Sequence, residues 1–287
     1  MTAVLKHELK IYFRSLTAYI FGAFLLCFVG LGAMVYNIRA GISNFEYTLN
    51  FSGIIFALIV PVLTMRVLAE ERKQRTDQLL YALPITTTQV VLGKYIALLI
   101  MFIIPLGIIC IYPVLFDQYG KVSYLTAYGA LLAYFFLGAA LIAVGVFISS
   151  ITDSQGFAAG LGIAVILLNY YSVALSQYVS SSAVGSMAAL VACGIVLGLL
   201  VKFMTGSENI GVLVGGILAA GVMIIYFFNA DLFKGLFPKI MTKLSLFRQF
   251  NIIVNGVFDL AAIVYFVSVI IFFLFLAVQS LEKRRYN

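Results

Sequence analysis

From Leu16 to Tyr36 the chain carries no charged residue. Apolar backbone of that length has few places to go. About 20 such residues, coiled as a helix, cross the hydrocarbon core of a bilayer. Comparable runs follow at about Phe51–Ala69, Lys94–Phe116, Ser123–Ser150, Gln155–Tyr178, Ala183–Phe203, Asn209–Phe228 and Asp259–Ser280. They are continuously apolar, whereas strands of a membrane barrel alternate over about 10 residues. The chain therefore reads as an all-α polytopic membrane protein, with about eight transmembrane helices in a single transmembrane domain over residues 1–287. Composition agrees. Of the 287 residues 63% are hydrophobic and 10% are charged, against roughly 25% charged in a soluble domain. That excludes a soluble globular protein, a disordered tail and a nucleic-acid binder built on surface charge.

The net charge of +7 is better read as orientation. Lys and Arg gather in the cytoplasmic loops of multi-pass proteins. With eight spans and both termini on one side, that side holds twelve of the 18 Lys and Arg residues. The reading puts both termini and the loop at 71–93 in the cytoplasm, and segment 229–258 on the extracellular or periplasmic side. The Ala183–Phe228 pair is decisive here, because losing one span would put the termini on opposite sides. Residues 2–15 form an interfacial helix, with Leu5, Leu9, Tyr12 and Phe13 on one face and Lys6, Lys10 and Arg14 on another. Cys27, Cys110 and Cys193 lie in apolar runs and read as core residues, and His7 is the only histidine. No metal site is expected.

The densest polar cluster runs from Arg66 to Leu80. Arg66 and Glu70 stand four apart, so they share a helix face and can pair. Glu71, Arg72 and Arg75 extend the charge. Thr76, Asp77, Gln78, Leu79, Leu80 and Leu83 then read as a short amphipathic helix, capped by Thr76 and stopped by Pro84. Its leucine face suits a groove on another protein. A second short helix, capped by Thr86, Thr87 or Thr88, leads to Gly93-Lys94. That pair is not a phosphate loop: position 88 is Thr88 where glycine is needed, and Tyr95 follows where Ser or Thr would hold Mg²⁺. Asn169 and Tyr170 lie mid-span, as interhelical glue or as the lining of a cavity. Asp259 reads as the N-cap of the last span. Gly156/Gly160, Gly194/Gly198 and Gly211/Gly215 allow close helix contact.

Met65-Arg66, Glu70-Glu71-Arg72, Arg75-Thr76, Gln78-Leu79-Leu80, Leu83-Pro84-Ile85-Thr86 and Val91-Leu92-Gly93-Lys94 together resemble the first cytoplasmic loop of ABC-2 type transporter permeases. The gliding-motility-associated branch is the most similar. Glu8-Leu9 with Tyr12-Phe13-Arg14-Ser15 resembles its elbow helix, although Leu16 stands where proline is expected. Phe247, Phe250, Gly256, Asp259, Val264-Tyr265-Phe266 and Leu281-Glu282-Lys283-Arg284-Arg285 resemble its C-terminus. The likeness covers residues 5–180 and 245–285, and the chain carries a hydrophobic pair beyond the family's usual six spans. The resemblance implies a permease subunit in a bacterial cytoplasmic membrane that is not itself an enzyme, with ATP hydrolysis in a separate partner subunit. Thr76–Pro84 would be the coupling helix, with Glu71, Arg72, Arg75 and Asp77 paired to the partner. Implied partners are two cytosolic ATPase chains that bind ATP and Mg²⁺, a second permease copy or homologue, and an accessory membrane or extracellular protein. Export is the expected direction. The competing reading is a membrane anchor or assembly subunit that moves no substrate. An intramembrane enzyme finds no support, since the spans hold no histidine and no paired aspartates.

Overall fold

The computed structural model describes residues 2–73, 86–118, 120–256 and 259–286. Among them the regular structure is helical throughout. The chain packs as two compact units. One joins Met1–Tyr170 with Gln249–Arg285, and the other centres on Tyr171–Arg248.

In the first unit, α1 (Thr2–Arg14) lies ahead of α2 (Leu16–Gly32). Ser15 caps α2, accepting from Thr17 N at 3.2 Å. The last turns of this span, Ala33–Arg39, are π-helical. The next span is broken into α3 (Glu46–Gly53) and α4 (Phe56–Thr64), which bend by 59°. The span expected at about Phe51–Ala69 is therefore corrected: it starts earlier, at Glu46, and is two helices, not one. Ser52-Gly53 marks the bend. Ser52 Oγ bonds back to Leu49 O at 2.9 Å, and Ser and Gly weaken the helix there.

A five-residue helix, α5 (Ala69–Lys73), opens the polar loop. Beyond it, α6 (Thr87–Ile109) continues through a turn into α7 (Tyr112–Phe116). Here too the sequence reading needs correction. The second short loop helix and the third span are one helix. Thr86 caps it, accepting from Gln89 N at 3.3 Å, and Gly93 does not break it. Lys94 thus sits inside a helix and not at a polar mouth.

The core is built around α8 (Tyr124–Ile151). In its membrane-length window 83% of the residues are buried. Glycine and alanine let neighbours close in on it. A Cβ at Gly138 would come within 2.5 Å of the Phe102 ring, and one at Gly145 would overlap the Thr64 side chain. Phe56, Phe102 and Tyr134 cluster with centroids 4.6–6.5 Å apart. Ser52 Oγ lies 3.1 Å from the buried Tyr134 hydroxyl, which answers the polar end of the ring.

Contacts at the two ends of this unit lay the bent pair alongside α2. At one end Arg66 Nη1 donates to Thr17 Oγ1 at 3.1 Å. At the other, Asn37 Nδ2 donates to Ile42 O at 2.7 Å, and Thr48 Oγ1 donates to Asn37 Oδ1 at 2.6 Å. The chain leaves along α2 and returns along α3–α4. Among the described residues seven helical stretches are long and apolar enough to cross a membrane, or eight with the bent pair as one span. The last helix, α14 (Leu260–Tyr286), ends beside the end of α8 and the start of α6: Ser280 Oγ donates to Ser150 O at 2.9 Å, and Thr87 Oγ1 to Glu282 Oε1 at 2.8 Å. Asp259 caps α14 as expected, accepting from Ala261 N at 2.8 Å.

The helix α9 (Gln155–Tyr178) runs into the second unit. That unit holds the antiparallel hairpin α10 (Ala183–Thr205) and α11 (Glu208–Phe228), then α12 (Leu236–Leu244). The hairpin closes on glycine. A Cβ at Gly198 would meet Gly215 Cα at 2.7 Å and Gly211 O at 2.8 Å. Gly194, Gly198, Gly211 and Gly215 all serve this contact, whereas a Cβ at Gly156 or Gly160 would meet nothing within 4 Å. The helix α13 (Leu246–Val254) brings the chain back to the first unit.

Backbone atoms cannot swing aside, so Gly198→Val should destabilise the hairpin by about 1–3 kcal/mol. Gly156→Ala should be tolerated. Thermal inactivation of the two variants in the same detergent checks the contrast.

Candidate functional site

The chemistry concentrates where the polar loop leaves the first unit. The start of the loop is fixed by Ser149 of α8, whose Oγ accepts from both Leu68 N and Ala69 N at 3.1 Å. These are orphan donors at the head of α5, and the hydroxyl satisfies them. Arg66 Nε lies 4.0 Å from Glu70 Oε2, and both side chains are about two-fifths exposed. An exposed pair at that distance adds little stability. Glu71 points inward instead. Residues 74–85 lie outside the described residues, so the expected docking segment, Thr76, Asp77, Gln78, Leu79, Leu80, Leu83 and Pro84, has no structural account here, nor has Arg75. Arg72 falls within α5.

At the other side of the loop, Lys94 is buried to 1% exposure on the first turns of α6. Its Nζ lies 2.7 Å from Glu8 Oε1 and 2.6 Å from Glu71 Oε1. One ammonium thus joins α1, α5 and α6. The sequence reading assigned Glu71 to an ion pair with a partner protein, and in this fold Lys94 engages it. Glu8 sits on the buried stripe of α1 with Tyr12. The amphipathic face of α1 therefore carries a carboxylate among its apolar side chains, while Phe13 is half exposed.

Two carboxylates share one ammonium, so the ionised trio keeps an uncompensated negative charge. Burial holds the Glu71 carboxyl above the ordinary carboxylate range, and Lys94 opposes that shift only in part. Burial, reinforced by the Glu8, Glu71 and Glu70 carboxylates, pushes the Tyr12 phenol far above its ordinary value. Tyr12 stays neutral. A cavity of about 440 Å³ opens beside the trio, bordered by His7, Tyr12, Thr17, Arg66, Glu70 and Lys94 among others. Among the described residues no group of three or more His, Cys, Asp or Glu is arranged to hold a metal ion. What the arrangement can do is mechanical: it fixes both ends of the loop to each other and to α1.

Asn169 and Tyr170 are half-buried on α9, and both are engaged with neighbours. They do not border the cavity at the loop. A further acid escapes the sequence reading. Glu46, in the first turn of α3, is buried to 7% exposure, and its Oε2 has no hydrogen-bond partner. The helix N-terminus favours a negative charge there. Its signal in the sequence is that it is the one acid between Glu8 and Glu70.

Residues 33–175 match the family model described as ABC-2 family transporter protein. No curated protein and no solved structure matches the chain. The matched segment runs from the π-helical end of α2, through both ends of the polar loop and the buried Lys94, to the end of α9.

Removing the ammonium strands two buried carboxylates, so Lys94→Met should cost about 3–5 kcal/mol. Adding Glu8→Gln and Glu71→Gln should recover most of that loss in thermal melts. The sign for pH follows from the raised Glu71 carboxyl. Its neutral form suits the fold, so its contribution is full below the ordinary carboxylate range and is lost as pH rises through the raised value. Melting temperature against pH should therefore fall less steeply over that window in Glu71→Gln than in the parent; equal slopes would count against the assignment.

The helical architecture and the membrane-length spans make the chain an all-α, multi-pass membrane protein, and the matched segment, just under half of it, is similar to the ABC-2 family transporter protein.

Proposed function

We propose that the chain is the membrane-spanning subunit of an ABC exporter, coupling ATP hydrolysis in a separate ATPase to movement of substrate. The observation that carries the reading is the family match over 33–175, which encloses a charged loop with both ends tied to Lys94. In this reading Thr76–Pro84 is the coupling helix, its leucine face seated in a groove of the ATPase. ATP and Mg²⁺ belong to that partner. Two such permeases and two ATPases make the complex, in a bacterial cytoplasmic membrane with both termini cytoplasmic. We place the chain in the gliding-motility-associated branch, on the motifs in the loop, the elbow and the C-terminus.

The geometry suits force transfer. Residues 71 and 94 bracket the loop, and Lys94 holds Glu71 and Glu8 at 2.6 and 2.7 Å. A push on the loop reaches α1 and α6 together, because the three cannot move apart without exposing a buried charge. The elbow helix and the third span then respond as one body.

Leu79→Glu/Leu80→Glu should abolish co-purification of an ATPase chain in mild detergent, while the permease keeps its own melting temperature. A parent complex that contains no ATPase would overturn the reading.

A further inference from the structure

The cluster at Lys94 has a charge balance that force transfer does not require. Its buried ammonium lies between two carboxylates, 2.7 Å from Glu8 Oε1 and 2.6 Å from Glu71 Oε1. With all three ionised, the group carries one negative charge in excess. The neighbours do not cancel it. On the loop side, Arg66 and Glu70 offset each other at 4.0 Å. On α1, Tyr12 is held neutral, and His7 is exposed at the rim of the cavity. On α14, Glu282 is engaged by Thr87 of α6. The chief charges acting on Glu71 are those of Lys94, Glu8 and His7.

A buried excess charge is costly, and a bound cation removes the cost. A metal ion would have to displace Lys94 from between the carboxylates. A proton displaces nothing. Glu71 is placed to carry it. Its side chain is 24% exposed against 8% for Glu8, and the cavity of about 440 Å³ that both border gives it a route to solvent. Burial, helped by Glu8, holds its carboxyl above the ordinary carboxylate range against the pull of Lys94.

We propose that the cluster is a proton-binding site: one proton on the Glu71 carboxyl brings Glu8, Glu71 and Lys94 to zero net charge, and its release through the cavity loosens the start of the loop from α1 and α6. The sign follows from charge. Protonated, Glu71 accepts from Lys94 without repulsion from Glu8. Ionised, the two carboxylates repel across the ammonium, and the more exposed one moves out to water. By linkage, whatever draws α5 away from Lys94 also releases the proton, and rising pH favours the loosened loop. The inference concerns this chain alone and does not rest on an ATPase partner.

Infrared difference spectroscopy of the full chain in nanodiscs reads the carboxylic C=O stretch directly. The parent should lose one such band as pH rises above the ordinary carboxylate range. Glu71→Gln should remove that band from the titration. Glu8→Gln, which deletes the repelling charge, should move it to lower pH. Each variant leaves Lys94 one carboxylate, so a neutral pair remains to hold the fold. The buried Glu46 is common to all three proteins and cancels in the differences between them. Hydrogen exchange reads the loop: corrected for the intrinsic rate, protection of the α5 amides should fall with rising pH in the parent and stay level in Glu71→Gln. No titrating band in the parent, a band that survives Glu71→Gln or is unmoved by Glu8→Gln, or equal pH dependence of α5 protection in parent and Glu71→Gln would each overturn the inference.

Discussion

A lysine ammonium buried in a helix bundle has to be answered by charge, and Lys94 is answered twice. Its burial removes it from water at a cost of several kcal/mol before any pairing. Glu8 and Glu71 offset that cost at 2.7 and 2.6 Å. Neither lies near Lys94 in sequence: one is 86 residues away and the other 23. The interaction therefore adds more to registry than to net stability. It decides where α1 lies, where α5 begins and how deep α6 sits. Those three choices in turn set the end of the bundle from which the polar loop emerges.

The rest of the first unit is arranged to keep that end rigid. Ser149 and Ser150 on the buried α8 hold the head of α5 and the end of α14 through hydrogen bonds. Thr87 reaches Glu282 at the same level. Further along α8 the contacts are apolar and close, made possible by Gly138 and Gly145. The second unit uses small residues differently. Its glycines face each other across one hairpin and bring backbone against backbone, with few large side chains between. Close packing of that kind works in lipid, where large apolar side chains gain little by hiding from their surroundings.

Much of this was legible in the sequence, because a bilayer leaves few solutions. Runs of apolar residues announced the spans, Asp259 announced the cap of the last helix, and Thr86 stood among the candidates for the cap of α6. Two boundaries were not legible. The bend at Ser52-Gly53 was hidden because α3 carries Glu46, Thr48, Asn50 and Ser52, so its turns read as a polar approach to a span beginning at Phe51. Gly93 looked like punctuation before Lys94, but a capped helix with good neighbours runs through a single glycine, whose cost is only about 1 kcal/mol. The partners of Lys94 were beyond any local pattern. Glu8 looked like one more charge on an interfacial helix, and Glu71 like one more charge on a solvated loop. Only the fold brings them together. The proposed docking segment, Thr76–Pro84, rests on its sequence pattern and on the family match over 33–175.

The choice of lysine at position 94 carries its own argument. Its ammonium is compact and has three donors that can be turned freely, so it can serve single oxygens of two carboxylates that approach from different helices. A guanidinium is planar and wider, and favours a side-on grip of one carboxylate. Placed at 94 it would pair well with Glu8 or with Glu71, and would leave the other turned away. Either choice would free the start of the loop from the elbow. The site therefore needs a point charge more than it needs a strong bond, because its task is to hold three segments at once.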